Sequence, residues 1–106
     1  KLIIDSAYLE DYKVFLQEGI ETSLREEPGV ITLYALSEKE NPTHFTILET
    51  YSNTEAYQGH IKTPHFLKYK QGTMHMIKSL ELIDVAPMLP ELKISQVKKR
   101  NKKSTP

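Results

Sequence analysis

The segment from Glu49 to Phe66, ETYSNTEAYQGHIKTPHF, concentrates the side chains of this chain that could move a proton. His60 is the natural general base, because an imidazole titrates near neutrality. Gly59 before it carries no side chain, which would let a backbone or a ligand come close to the ring. Glu49 ends an apolar run in which Phe45, Ile47, Glu49 and Tyr51 share one side of an extended strand. A carboxylate in that company needs a raised pKa or a hydrogen-bonding partner, unless it sits at the strand end and reaches water. His65 comes five positions after His60, and Pro64 between them makes its direction unreadable. A metal site from Glu49, His60 and His65 lacks the His-Glu-x-x-His spacing and every other ligand signature, so no metal is expected. Tyr34, Tyr51, Tyr57 and Tyr69 each offer an apolar ring with a hydroxyl tip, suited to lining a pocket for a planar substrate or to packing a core. His44 and His75 fall near element ends and read as solvated.

Other chemistries are excluded by what is missing. The chain has no cysteine, hence no disulfide framework, thiol nucleophile or thiolate metal site. It has no Gly-rich phosphate loop, no serine nucleophile elbow and no dinucleotide fingerprint, which argues against conventional cofactor enzymes.

The elements that must position these groups follow from periodicity and punctuation. Leu2, Ile3 and Ile4 form a short β-prone run, and Ser6 can cap a helix in which Tyr12, Phe15, Leu16, Ile20 and Leu24 recur at helical spacing. Pro28-Gly29 stops it. Val30 to Leu36 and Phe45 to Tyr51 read as strands of an antiparallel hairpin around the turn Lys39-Glu40-Asn41-Pro42. Ser52 or Asn53 can cap a second helix, Thr63-Pro64 should interrupt it, and helix should resume from about His65 to His75. Ser79 to Val85 reads as the last strand. The order βαββαβ predicts an α+β, ferredoxin-like domain with a four-stranded antiparallel sheet and both helices on one face.

Strand parity adds an expectation. In Val30 to Leu36, Val30, Thr32, Tyr34 and Leu36 alternate with Ile31, Leu33 and Ala35, and both sets are largely apolar. Helices cover only one face, so the other predicts an association surface and a homodimer with sheets packed face to face.

At 106 residues the chain suits one domain, expected over residues 1–90. Residues 91–106 carry six basic groups against Glu91, while residues 1–90 carry 8 basic and 13 acidic groups, a net of −5. An acidic body is a poor nucleic-acid footprint, and the basic tail, without aromatics, reads as a flexible end. No run is long enough to span a bilayer. The chain begins with lysine, which suggests a processed or trimmed start and leaves a cytoplasmic or an exported location open.

Taken together, Glu27-Pro28-Gly29-Val30 leading into Leu33-Tyr34, the run Phe45 to Tyr51, and Glu55-Ala56-Tyr57 followed by His60 and Thr63-Pro64-His65-Phe66 resemble the antibiotic biosynthesis monooxygenase family. The resemblance spans roughly residues 1–86. It implies a dimeric α/β barrel and the oxidation of quinols or similar hydroxylated aromatic rings by dioxygen, without flavin, haem or metal. It also implies that Glu49 and His60 are pocket residues and Phe66 part of the wall; Tyr34, Tyr51, Tyr57, His65 and Tyr69 stand beside them as the further candidate substrate contacts. On that reading His60 removes a phenolic proton, and Glu49 orients the imidazole or holds a substrate hydroxyl. Other members process a sugar-derived signalling phosphate or degrade haem. The haem branch uses a tryptophan that this chain lacks, and Lys70 falls near where its histidine ligand is expected. A binding or sensing protein that uses the same pocket without turnover is the competing class.

Overall fold

The computed structural model describes residues 1–88, so the basic segment 91–106 lies outside the described residues. The elements are β1 (Leu2–Ile4), α1 (Leu9–Glu26), β2 (Val30–Ser37), β3 (His44–Tyr51), α2 (Thr54–His60), α3 (Pro64–Thr73) and β4 (Ile77–Leu80), with short 3-10 turns at Ser6–Tyr8 and Met74–Met76. The four strands form one antiparallel sheet in the order β2-β3-β1-β4, the predicted ferredoxin-like arrangement. The helices pack on one face, where Leu2, Ile4, Tyr12, Leu16, Phe45 and Met76 form the buried core. No helix among the described residues is long and apolar enough to cross a membrane.

Each junction near the candidate site has a local cause. Glu27 caps the C-terminal end of α1 in an extended conformation, φ −113° and ψ 100°, because a residue before proline is biased away from helix. Asn53, rather than Ser52, caps α2 by accepting from the Ala56 amide at 2.7 Å. Thr63 joins the next two helices: its hydroxyl donates to the His60 carbonyl at 2.8 Å and accepts from the Phe66 amide at 3.2 Å, with Pro64 opening α3. A β-carbon on Gly29 would fall 2.5 Å from Cβ of Ala56, so glycine lets the start of β2 lie against α2.

Three local readings change. Ser6 is not the cap; Asp5 accepts from the Ala7 amide at 3.0 Å and opens a 3-10 turn, and α1 begins only at Leu9. β4 starts at Ile77 and ends at Leu80 instead of spanning Ser79 to Val85. Its partner is the three-residue β1, with Leu2 opposite Leu80 and Ile4 opposite Ile77, so the ladder runs out before Leu82 and Val85, which are exposed. A register shift between Val30 and Thr32 inserts Ile31 as an extra residue in β2. It breaks the alternation: Val30 is buried while Ile31 is exposed, and beyond it Leu33 and Ala35 lie opposite Glu49 and Ile47.

The Gly29 contact yields a test. Gly29→Ala should destabilise the fold by about 1–3 kcal/mol, because the new methyl meets a β-carbon that cannot rotate away. Chemical denaturation beside wild type measures it, and an unchanged midpoint would show that α2 is free to shift.

Candidate active site

His60 is the last residue of α2 and is buried, 5 % exposed. Its Nδ1 lies 2.9 Å from Oε2 of Glu27, and Nε2 of His65 reaches the same oxygen at 2.6 Å. Burial alone would push the Glu27 carboxyl up, but the hydrogen bonds from His65 and His60, reinforced by their charge, bring it below the usual carboxylate range. An ionised carboxylate accepts only, so the nitrogen of each ring that faces it carries the hydrogen. Neutral His60 is therefore the Nδ1–H tautomer, and its Nε2 holds a free lone pair.

The ring is caged by aromatics. Its centroid lies 5.5 Å from that of Tyr51 and 5.2 Å from that of Phe66. His60 also lines a cavity of about 70 Å³ between α1, α3 and the sheet, walled by Leu16, Ile20, Leu33, Ile47 and Phe66 and completed by Glu49 and Tyr69. Glu49 and Leu33 face each other across the β2–β3 ladder and both line this hollow, so the sheet does send a carboxylate toward the buried imidazole.

Glu49 is exposed and accepts a 2.5 Å hydrogen bond from the Tyr51 hydroxyl, the partner its position called for. Of the two roles expected of Glu49, orienting the imidazole or holding a substrate hydroxyl, the first falls to Glu27, whose backbone leaves the end of α1 beside α2 and α3. Burial, then the bond to Glu49, drives the Tyr51 phenol above its ordinary range, and burial raises Tyr69 as well. Both stay protonated at neutral pH and act as hydrogen-bond donors rather than bases. The Tyr69 hydroxyl meets that of the fully buried Tyr12 at 2.7 Å.

The remaining candidates lie elsewhere. Tyr34 is opposite Leu48, on the sheet face turned away from the cavity, and is 60 % exposed. Tyr57 packs edge-on against Tyr51 at 5.2 Å without lining the cavity. His65 serves Glu27 and is likewise absent from the cavity wall. Gly59 gives no close approach, since a β-carbon there would meet nothing within 4 Å. Glu27 was visible in sequence only as the residue before Pro28-Gly29; that position was its one signal.

The family model described as antibiotic biosynthesis monooxygenase matches residues 4–72, the span that holds Glu27, Glu49, His60 and His65. The chain belongs to the antibiotic biosynthesis monooxygenase family. A proposed antibiotic biosynthesis monooxygenase from Bacteroides thetaiotaomicron has a similar structure, with 56% identity, a TM-score of 0.85 and coverage of 88% of this chain and 89% of that one. A proposed monooxygenase from Lactobacillus acidophilus is 32% identical with a TM-score of 0.72, over 74% of this chain and 37% of its own. A Nitrosomonas europaea protein, 21% identical with a TM-score of 0.77 over 84% of this chain and 86% of that one, shares the fold. No curated protein matches the chain.

In this family member the Glu27 bonds carry a stability prediction. Glu27→Ala should cost about 1–3 kcal/mol at neutral pH, because it strands two largely buried ring N–H groups. Glu27 has a depressed folded-state pKa, so its stabilisation is fully present above the ordinary value of 4.5 and is lost as pH falls through the folded value. The gap between wild type and variant should therefore narrow toward acid in urea melts at several pH values; a gap that widened would contradict the sign.

Proposed function

We propose that this protein is a monooxygenase that oxidises a quinol or similar electron-rich hydroxyaromatic compound with dioxygen, as a homodimer, using no resident cofactor. The observation that carries this reading is the part-buried Glu27–His60 hydrogen bond at 2.9 Å, which in the neutral ring leaves Nε2 as the acceptor of an imidazole that lines an apolar hollow. His60 removes a phenolic proton through that nitrogen. Glu49 and Tyr69, also on the wall, hold ring oxygens as acceptor and donor. Removal of the proton raises the electron density of the ring, and the resulting anion reduces dioxygen. One oxygen atom enters the ring; the other leaves as water, its hydrogens and electrons supplied by the substrate. Apolar walls favour the step by excluding water from the reacting anion.

Size bears on the substrate. The hollow, about 70 Å³, is roughly half of the ~150 Å³ that accommodates a benzene ring. A substrate ring therefore lies partly in the mouth beside the exposed Glu49, with its hydroxyl toward His60. A single-ring or edge-on substrate fits this better than a broad polycycle lying flat.

The dimer is supported by the uncovered sheet face. Tyr34, Leu36 and Leu48 are exposed on the side away from the helices, at 60%, 49% and 36%, and Ile31 at the bulge is exposed as well. A contiguous apolar patch of this kind marks an association surface.

Two measurements follow. Purified protein should consume dioxygen with a hydroquinone from a small panel, and His60→Ala should lower that rate by about 10²–10⁴. Full retention by the variant would refute the assignment of the base, and thermal stabilisation by quinols without oxygen uptake would favour the non-catalytic binding protein. In sedimentation at micromolar concentration the wild type should run as a dimer and a Tyr34→Glu, Leu48→Glu variant as a monomer; a monomeric wild type would remove the homodimer from the proposal.

A further inference from the structure

We infer that Glu27, His60 and His65 form a binding site for a divalent cation of the zinc class, and that an ion bound there withdraws the base from His60. The three groups present ligating atoms that all lie within 4.8 Å of one another. They come from the ends of three different elements, α1, α2 and α3, which the Thr63 bridge and the Gly29 contact hold together. A tetrahedral ion with ligands about 2.0–2.2 Å away sets those ligands roughly 3.4 Å apart. The nitrogens now sit 2.9 and 2.6 Å from Oε2 of Glu27, so opening each separation by less than about 1 Å makes room.

The carboxylate is free to make that adjustment. Both of its hydrogen bonds fall on Oε2, and among the described residues Oε1 has no protein partner. The outer support has the right character too. Nδ1 of His65, the nitrogen away from the cluster, lies 3.9 Å from a carboxylate oxygen of the exposed Glu26, beyond hydrogen-bond distance but beside the nitrogen at which metal-bound imidazoles are commonly steadied by a carboxylate. Two imidazoles with one carboxylate suit zinc, cobalt or nickel, whereas magnesium and calcium take oxygen ligands. The net −5 of residues 1–90 favours a cation in general. No ligand spacing in the sequence announces this cluster, and Glu49, the carboxylate that strand parity singles out, instead accepts from Tyr51.

The effect on His60 follows from proton counting. A neutral imidazole has one ring hydrogen. When Nδ1 gives its lone pair to an ion, that hydrogen must sit on Nε2, and the nitrogen left to serve as base becomes a donor instead of an acceptor. Binding of the ion stands on geometry alone; only its inhibitory outcome rests on the monooxygenase reading above.

The test uses the full chain freed of metal on a chelating resin. Calorimetric titration with zinc sulfate should show one ion per chain and none with magnesium. Glu27→Gln and His65→Gln, checked for folding by circular dichroism, should each weaken zinc binding at least about tenfold. Histidine ring ¹⁵N spectra of the wild type should show His60 pass from the Nδ1–H to the Nε2–H form as zinc is added, a readout independent of turnover and of either variant. Absence of zinc uptake by the folded wild type overturns the site, as does uptake that both substitutions leave unchanged. Zinc binding without the tautomer change overturns the withdrawal of the base. If zinc binds and shifts the tautomer while the metal-free protein oxidises no quinol, the site stands and the monooxygenase reading fails.

Discussion

A single carboxylate oxygen organises this protein. Oε2 of Glu27 receives a ring nitrogen from His60 at 2.9 Å and one from His65 at 2.6 Å, which ties the end of α1 to the end of α2 and the start of α3. None of these contacts is local in sequence, yet each partner is delivered by local rules. Pro28 forces Glu27 out of helix, Gly29 lets α2 settle against β2, and Thr63 with Pro64 breaks the helical layer between the two histidines. Bonds to a charged acceptor contribute more than neutral ones, but here their structural effect is as important as their energy. They fix which nitrogen of His60 is bare.

The sheet and the helical layer make complementary contributions to the hollow. β3 supplies Ile47 and Glu49 on one face, α1 supplies Leu16 and Ile20, and α3 supplies Phe66 and Tyr69. The Tyr69 phenol there is raised above its ordinary range by burial, as is that of Tyr51 behind Glu49, so both stay neutral and donate. His60 and Glu49 are then the acceptors on the wall, and they differ in kind. Glu49 is exposed and already engaged by Tyr51, whereas the imidazole is buried and steered from behind. A weakly hydrated base next to apolar walls is the better partner for a phenol, because little water must be displaced for the proton to move.

Much of the architecture was legible in the sequence, since the signals for it are short range. The hairpin strands, the helix stop at Pro28-Gly29, the cap at Asn53 and the break at Thr63-Pro64 are all decided within a few residues. What escaped depends on partners far along the chain. The end of β4 is set by the length of β1, some 75 residues earlier, and the displacement of Ile31 is a matter of register with β3. The site divides in the same way. His60 and Glu49 could be picked out by type and strand parity, but Glu27 bonds to a residue 33 positions away, and nothing in its own neighbourhood announces a part-buried carboxylate. Tyr34 was misplaced for a simpler reason: alternation says that two faces exist without saying which one the helices cover.

His65 is the residue whose place in this scheme is easiest to overlook, because it does not line the hollow. Glu27 has no lysine or arginine among its ion-pair partners within the described residues; the two histidines are its only ones. Burial taken alone would favour the protonated carboxylic acid, which could itself donate to His60 and leave the proton on the wrong ring nitrogen. The second imidazole adds to the first, since two N–H groups on one oxygen stabilise the ionised form against burial. An ionised Glu27 then has no hydrogen to give, and the proton of His60 has to face it. His65 thus acts on the base at one remove, through the charge state of the carboxylate they share.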